Sequence, residues 1–298
     1  MKKYFSIICL SLVISPWLMA QDGNSVLPQK GDWAVSINAA PVLQYIGQLF
    51  NGTNGNAVIN RFGGQPYLNN DVTTGNFGVI NPLVSVSAKY LLTDDIALRL
   101  NAGWLYTYDD DKFYVQDDAA RLENPISTKR LIDTRIVRGN GVSLMFGAER
   151  RVGKKNIQGV FGGGVLYANQ VGSRKFMYGN IMNQDNQSPS IAVGGATVPA
   201  GFSSARVLES RIANSLSYLG AVAFVGVEWF VSSKISLGGE VNIAAVYRFG
   251  GNTYTTIEGY NTLSMQVEEW TDLTAPTSSG FSFGTGNIGG NLSLNFYF

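Results

Sequence analysis

Residues 291–298, Asn-Leu-Ser-Leu-Asn-Phe-Tyr-Phe, place a large apolar side chain at every second position and a polar one between. Strand side chains alternate between faces, so Leu292, Leu294, Phe296 and Phe298 share one face. Asn291, Ser293, Asn295 and Tyr297 share the other. A period of two excludes a helix over this stretch. The same alternation recurs along the chain and limits it to an all-β architecture.

Eight segments carry the pattern. They run over about 33–45, 78–92, 96–108, 141–151, 157–169, 216–231, 235–249 and 281–298. In the third, Ile96, Leu98, Leu100, Ala102, Trp104 and Tyr106 lie on one face, with Ala97, Arg99, Asn101, Gly103, Leu105 and Thr107 on the other. In the fifth, Gly162-Gly163-Gly164 removes the cue and leaves the faces unassigned. The connections near 93, 153 and 233 are a few residues long, whereas those near 47–77, 109–138, 170–210 and 250–280 are long. Short and long connections alternate, as in a barrel with tight turns at one end and long loops at the other. Three turns and four loops fit an up-and-down antiparallel barrel of eight strands. Residues 130–137 and 206–216 have strand-like composition and are expected to extend strands four and six above the membrane. Tyr254 to Trp270 is expected to form a hairpin arm. Ten or twelve strands result if one of these pieces crosses the bilayer.

The other end of the chain says where such a barrel goes. Lys2 and Lys3 precede an apolar stretch from Tyr4 to Leu18, and Ala20 precedes the polar run Gln21 to Ser25. This is the pattern of a secretory signal peptide, residues 1–20, leaving 21–298 as one domain. Cys9, the only cysteine, leaves with it. Charged residues make up 14%, against roughly 25% in soluble domains. Beyond residue 20 no apolar run is long enough for a spanning helix. Without such helices, only a closed barrel satisfies every backbone group in lipid. The expectation is a transmembrane β-barrel in the outer membrane, with periplasmic termini and extracellular loops.

The face opposite the apolar stripe carries Lys89, Arg99, Glu149, Glu228, Glu240 and Arg248. Three positive and three negative groups suit an internal ion-pair network in a barrel just wide enough for side chains to fill. Arg150 and Arg151 are expected at the periplasmic rim, snorkelling to the headgroups. Trp33, Trp229 and Phe298 are expected in a periplasmic aromatic girdle, with Trp104, Tyr106 and Tyr247 in the outer one.

Several chemistries are disfavoured. The sequence has no histidine, which removes the side chain that titrates nearest neutral pH and serves most often as a general base. Asp109-Asp110-Asp111, Asp117-Asp118 and Glu268-Glu269 show no catalytic or ligand spacing. No catalytic residue, cofactor or metal site is assigned. Net charge is +1, so nothing points to nucleic acid.

The chain resembles the small Gram-negative outer-membrane barrels, the family that includes outer membrane proteins A, X and W. The features behind this are Lys2–Ala20, the alternating hairpins and the terminal Leu292 to Phe298. Turns such as Phe230 to Gly238 look like those of outer-membrane barrel domains in Bacteroidota. The resemblance implies that Leu292, Leu294, Phe296 and Phe298 form the signal read by the barrel assembly machinery. It also implies contact with outer-membrane lipid and lipopolysaccharide. The expected function is non-enzymatic: four long loops serving surface structure, adhesion or contact with a surface or membrane protein. The alternatives are a small channel or transporter, with Gly220 and Gly226 beside Phe224 leaving a cavity, and an accessory subunit of an outer-membrane complex.

Overall fold

A computed structural model describes residues 27–38, 86–154, 156–212 and 215–298. The signal segment 1–20, the loop around 47–77 and the ends of strands one and two that flank it lie outside the described residues. The strands are β1 (Trp33–Asn38), β2 (Val86–Leu91), β3 (Ile96–Gln116), β4 (Arg130–Lys154), β5 (Ile157–Met177), β6 (Phe202–Arg211), β7 (Leu216–Ser232), β8 (Ile235–Gly250), β9 (Thr253–Asn261), β10 (Gln266–Ala275) and β11 (Ser278–Tyr297). A short helix, α1 (Asp118–Glu123), joins β3 to β4.

Eight strands close a ring in the order β1-β2-β3-β4-β5-β7-β8-β11. Every neighbouring pair is antiparallel. The seam is β1 against β11, with Ala34 opposite Tyr297 and Asn38 opposite Ser293. Closure leaves the ring without a free edge, the condition for crossing lipid on strands. Leu100, Trp104, Phe146, Val165, Val225 and Leu237 project outward and are exposed. So wide an apolar wall belongs against lipid. The chain therefore folds as a transmembrane up-and-down β-barrel of eight strands.

The strands outrun the bilayer. A tilted spanning strand needs roughly 9–11 residues; β3 has 21, β4 has 25 and β5 has 21. The segment 109–138 is thus mostly paired strand, in continuous register from Asp109 opposite Val137 to Gln116 opposite Arg130. Beyond the ring, β5 pairs with β6, β6 with β9, and β9 with β10. The segment 206–216 does not extend the sixth barrel strand; most of it belongs to β6, a separate strand, and β7 starts at Leu216. The hairpin expected over 254–270 is present as β9–β10. The result is a six-stranded wall, β3-β4-β5-β6-β9-β10, standing above the long-loop end of the barrel.

Gly162 faces the lumen directly opposite Phe224. A Cβ there would clash with the Ala148 carbonyl oxygen and sit 2.9 Å from Phe224 Cζ, so only glycine fits between the β4 backbone and that ring. Gly226 is equally confined, its Cβ position lying 2.8 Å from Glu240 Cβ, and Gly220 likewise, its Cβ position lying 2.6 Å from the Ala245 carbonyl oxygen. Gly162→Val should destabilise the barrel by about 1–3 kcal/mol through overpacking. Urea unfolding in detergent would measure it, with Gly195→Ala, whose Cβ position is 3.7 Å from its nearest neighbour, as the unaffected control.

Candidate functional site

Alternation of the barrel strands sends Lys89, Arg99, Glu149, Arg151, Glu228 and Glu240 into the lumen. Lys89 Nζ lies 3.2 Å from Glu149 Oε1 and 3.4 Å from Glu228 Oε2. Arg99 grips Glu240 with both terminal nitrogens, at 2.6 and 2.9 Å. Arg151 reaches Glu149 at 3.3 Å and Glu228 at 2.7 Å, and donates to the Tyr297 hydroxyl. Glu228 also accepts from Ser236, from Asn295 at 2.8 Å and from Tyr297 at 2.6 Å. Three cations meet three carboxylates, so the cluster is neutral.

In the ring order, β3 stands diametrically opposite β8, β4 opposite β11, and β2 opposite β7. The contacts Arg99–Glu240, Arg151–Tyr297 and Lys89–Glu228 therefore each tie two opposite walls together. Side chains that meet across a diameter at hydrogen-bond distance leave no bore there. Apolar layers flank the cluster. Toward the short turns, Ala34, Leu91, Ala97, Phe230 and Tyr297 pack together with Leu27 against them. Farther up, Met145, Leu166, Ala168, Val222, Ala244 and Val246 form a second layer. Phe224 joins cluster to layer, with the Arg99 guanidinium 4.7 Å from its ring centre.

Arg151 departs from its expected place at the rim. It is 2% exposed, because the same alternation that turns Arg150 outward turns Arg151 in. Arg248 lies on the inner face of β8, opposite Tyr218 and Gly280, and joins no ion pair among the described residues. Trp33 stacks on Phe298 at 4.5 Å near the short-turn end, where Trp229 also points outward. Trp104, Tyr106 and Tyr247 point outward nearer the long-loop end, with Tyr247 against Phe249. Leu292, Leu294 and Phe296 share the outer face with Phe298, while Asn295 and Tyr297 are buried inside.

Above the barrel, buried and half-buried polar groups tie the loops to the wall. Asp133 is fully buried and accepts from the Gly179 and Ala192 amides at 2.9 and 2.7 Å. Arg206 pairs with Glu258 at 2.6 Å, donates to the Asn180 carbonyl at 2.8 Å and lies over the Tyr178 ring. Asn180 donates to Gln116 and Ser190 carbonyls. Asp117 caps α1, and Asp118 accepts from the Ser190 amide at 2.7 Å and from Asn186 at 3.0 Å. Burial alone raises the Asp118 pKa, but those hydrogen bonds outweigh it and hold the carboxyl below its usual range. Asp111 pairs with Arg135 and Asp110 with Lys112, and no group of carboxylates among the described residues forms a metal cage.

No family model and no curated protein matches the chain. Among solved structures, the outer membrane protein OprG from Pseudomonas aeruginosa is similar over 92% of this chain and 99% of its own, at 11% identity and a TM-score of 0.33. The ferric yersiniabactin uptake receptor FyuA from Yersinia pestis is similar over 71% of this chain and 24% of its own, at 13% identity and a TM-score of 0.29. At such values the class rests on the chain's own ring closure, apolar wall and filled lumen.

Glu228→Gln leaves Arg151 and Lys89 to share Glu149, with one buried positive charge uncompensated, and should cost about 3–5 kcal/mol of stability in urea. Replacing Arg99 and Glu240 together by leucine should cost less than removing Glu240 alone. The lowered Asp118 pKa implies stabilisation present above its unfolded value and lost as pH falls through the folded one. Protection of the Ser190 amide against hydrogen exchange should therefore fall as pH drops below the ordinary carboxylate range.

Proposed function

We propose that the chain, processed after Ala20, is an integral outer-membrane protein whose extracellular head contacts a surface or membrane partner, with neither catalysis nor conduction. The carrying observation is the set of side-chain ties across three diameters of the ring, which bar the lumen at that level. A barrel barred in this way serves as a mount, and the ordered part it mounts is the wall β3-β4-β5-β6-β9-β10 with its pinned loops. Buried hydrogen bonds hold that head in one shape before any partner arrives, which lowers the ordering cost of binding. Leu292, Leu294, Phe296 and Phe298 face outward, in reach of an assembly machinery that reads the last strand. Kinship with the outer membrane protein A, X and W barrels belongs to the same proposal. So does an orientation with short turns in the periplasm and the head outside.

Leu263, 85% exposed at the tip of the β9–β10 hairpin, and Ser233, in the β7–β8 turn, test orientation. On intact cells, Leu263→Cys should react with a membrane-impermeant maleimide and Ser233→Cys should not; the reverse pattern would overturn the proposal. In planar bilayers the purified protein should show no steady conductance. A conductance that changes with Glu240→Gln would establish a channel instead.

A further inference from the structure

We infer that the outer wall of β3 to β6, at Arg138, Lys175 and Arg211, holds the phosphate of an outer-leaflet lipid. This rests on the membrane placement proposed above. The register puts Tyr108, Arg138, Ser173 and Arg211 on one rung of the sheet. Side chains directly opposite across strands share a face, and Tyr108 and Arg138 are on the outer one. Two strand spacings separate Arg138 from Arg211, about 10 Å between backbones. Ser173 lies between them, short and half-buried, so the rung dips between two long cationic side chains. Lys175 sits one outward position farther along β5 and is exposed. The rungs nearer the bilayer carry Tyr106, Asn140 and Val171, then Trp104, Val142 and Asn169. The cations thus stand just above the outer aromatic residues, at the depth of lipid phosphates.

None of the three cations takes part in an ion pair among the described residues. Lys112 pairs with Asp110 at 3.7 Å. Glu209, opposite Lys175, and Asp110, on the same rung and paired with Lys112, are the acids beside them, which leaves a net positive charge of two. Arg211 Nε is buried and has no hydrogen-bond partner among the described residues. The Arg138 guanidinium lies 5.6 Å from the Tyr108 ring centre, which steadies it at the interface. Two guanidinium groups flanking a dip, with an ammonium above, match a tetrahedral anion whose acyl chains run down the apolar wall.

Native mass spectrometry of the detergent-purified protein tests this with three probes: phosphatidylglycerol, a phosphate-free glycolipid and inorganic phosphate. Wild type should retain phosphatidylglycerol over the glycolipid, and inorganic phosphate should not displace it. Arg138→Gln, Lys175→Gln and Arg211→Gln should each weaken retention roughly fivefold, and the triple variant about 100-fold. Removing remote head cations, Arg121→Gln with Lys129→Gln, should change nothing. Arg138→Lys with Arg211→Lys should restore most of the retention. Equal retention by wild type and a triple variant that still shows the heat-modifiable band of a folded barrel overturns this site and leaves the membrane placement standing. Displacement by inorganic phosphate overturns it in favour of a free-anion site. A wild type that stays dissolved without detergent overturns both.

Discussion

Everything in this structure depends on the β1–β11 seam. In hydrocarbon an unpaired backbone amide or carbonyl has no water to turn to, so strands can cross only if their sheet closes on itself. Once Ala34 to Asn38 pair with Ser293 to Tyr297, the ring has no edge, and every barrel strand acquires an inside and an outside. The period of two then sorts the side chains with no further choice. Leu144 and Phe146 go to lipid, and Met145 and Glu149 go to the lumen.

A small ring must fill its interior, and this one does so in layers. Apolar floors lie above and below a neutral group of three cations and three carboxylates. Charges buried this deeply persist only if each finds a counter-charge, and here the counter-charge often sits on the far wall. The ties that satisfy the charges are the ones that brace opposite strands, so electrostatic satisfaction and closure of the lumen are one event. Phe224 packs beneath Arg99 in space that Gly162, without a side chain, leaves to it. The proposed functional surface is then left to the strands that outrun the bilayer and to the loops that Asp133, Asn180 and Arg206 lock onto them.

Legibility in the sequence followed the solvent. Where a strand has lipid on one side and lumen on the other, apolar and polar residues alternate, and its pairing partners could be read from order alone. Above the membrane both faces meet water or polar loops, and the alternation disappears. Asp109-Asp110-Asp111-Lys112 therefore reads as a loop although it is paired strand. The three glycines of β5 hid the face that Phe224 occupies, because nothing in a glycine records what packs on it. Five of the lumenal charges were legible from parity. Arg151 was missed because two consecutive arginines beside a turn look like a rim, although parity had already set one of them inward. Arg248 shares that inward parity yet lies near the far end of β8, away from the group.

What the sequence determined by itself was the architecture. The spacing of apolar residues, the alternation of short and long connections and the scarcity of charge leave a closed barrel as the arrangement that satisfies the backbone in lipid, with eight strands or, had an extra piece crossed, ten or twelve; the tertiary structure set the ring at eight. Tertiary structure decided which residues meet. Arg99 and Glu240 are far apart in the chain, and only ring closure and strand tilt bring them across a diameter. Likewise Arg138, Ser173 and Arg211 become one rung only through the register of β4, β5 and β6. Local periodicity sets a side chain's face, whereas its partners depend on how far each strand has slid against the next.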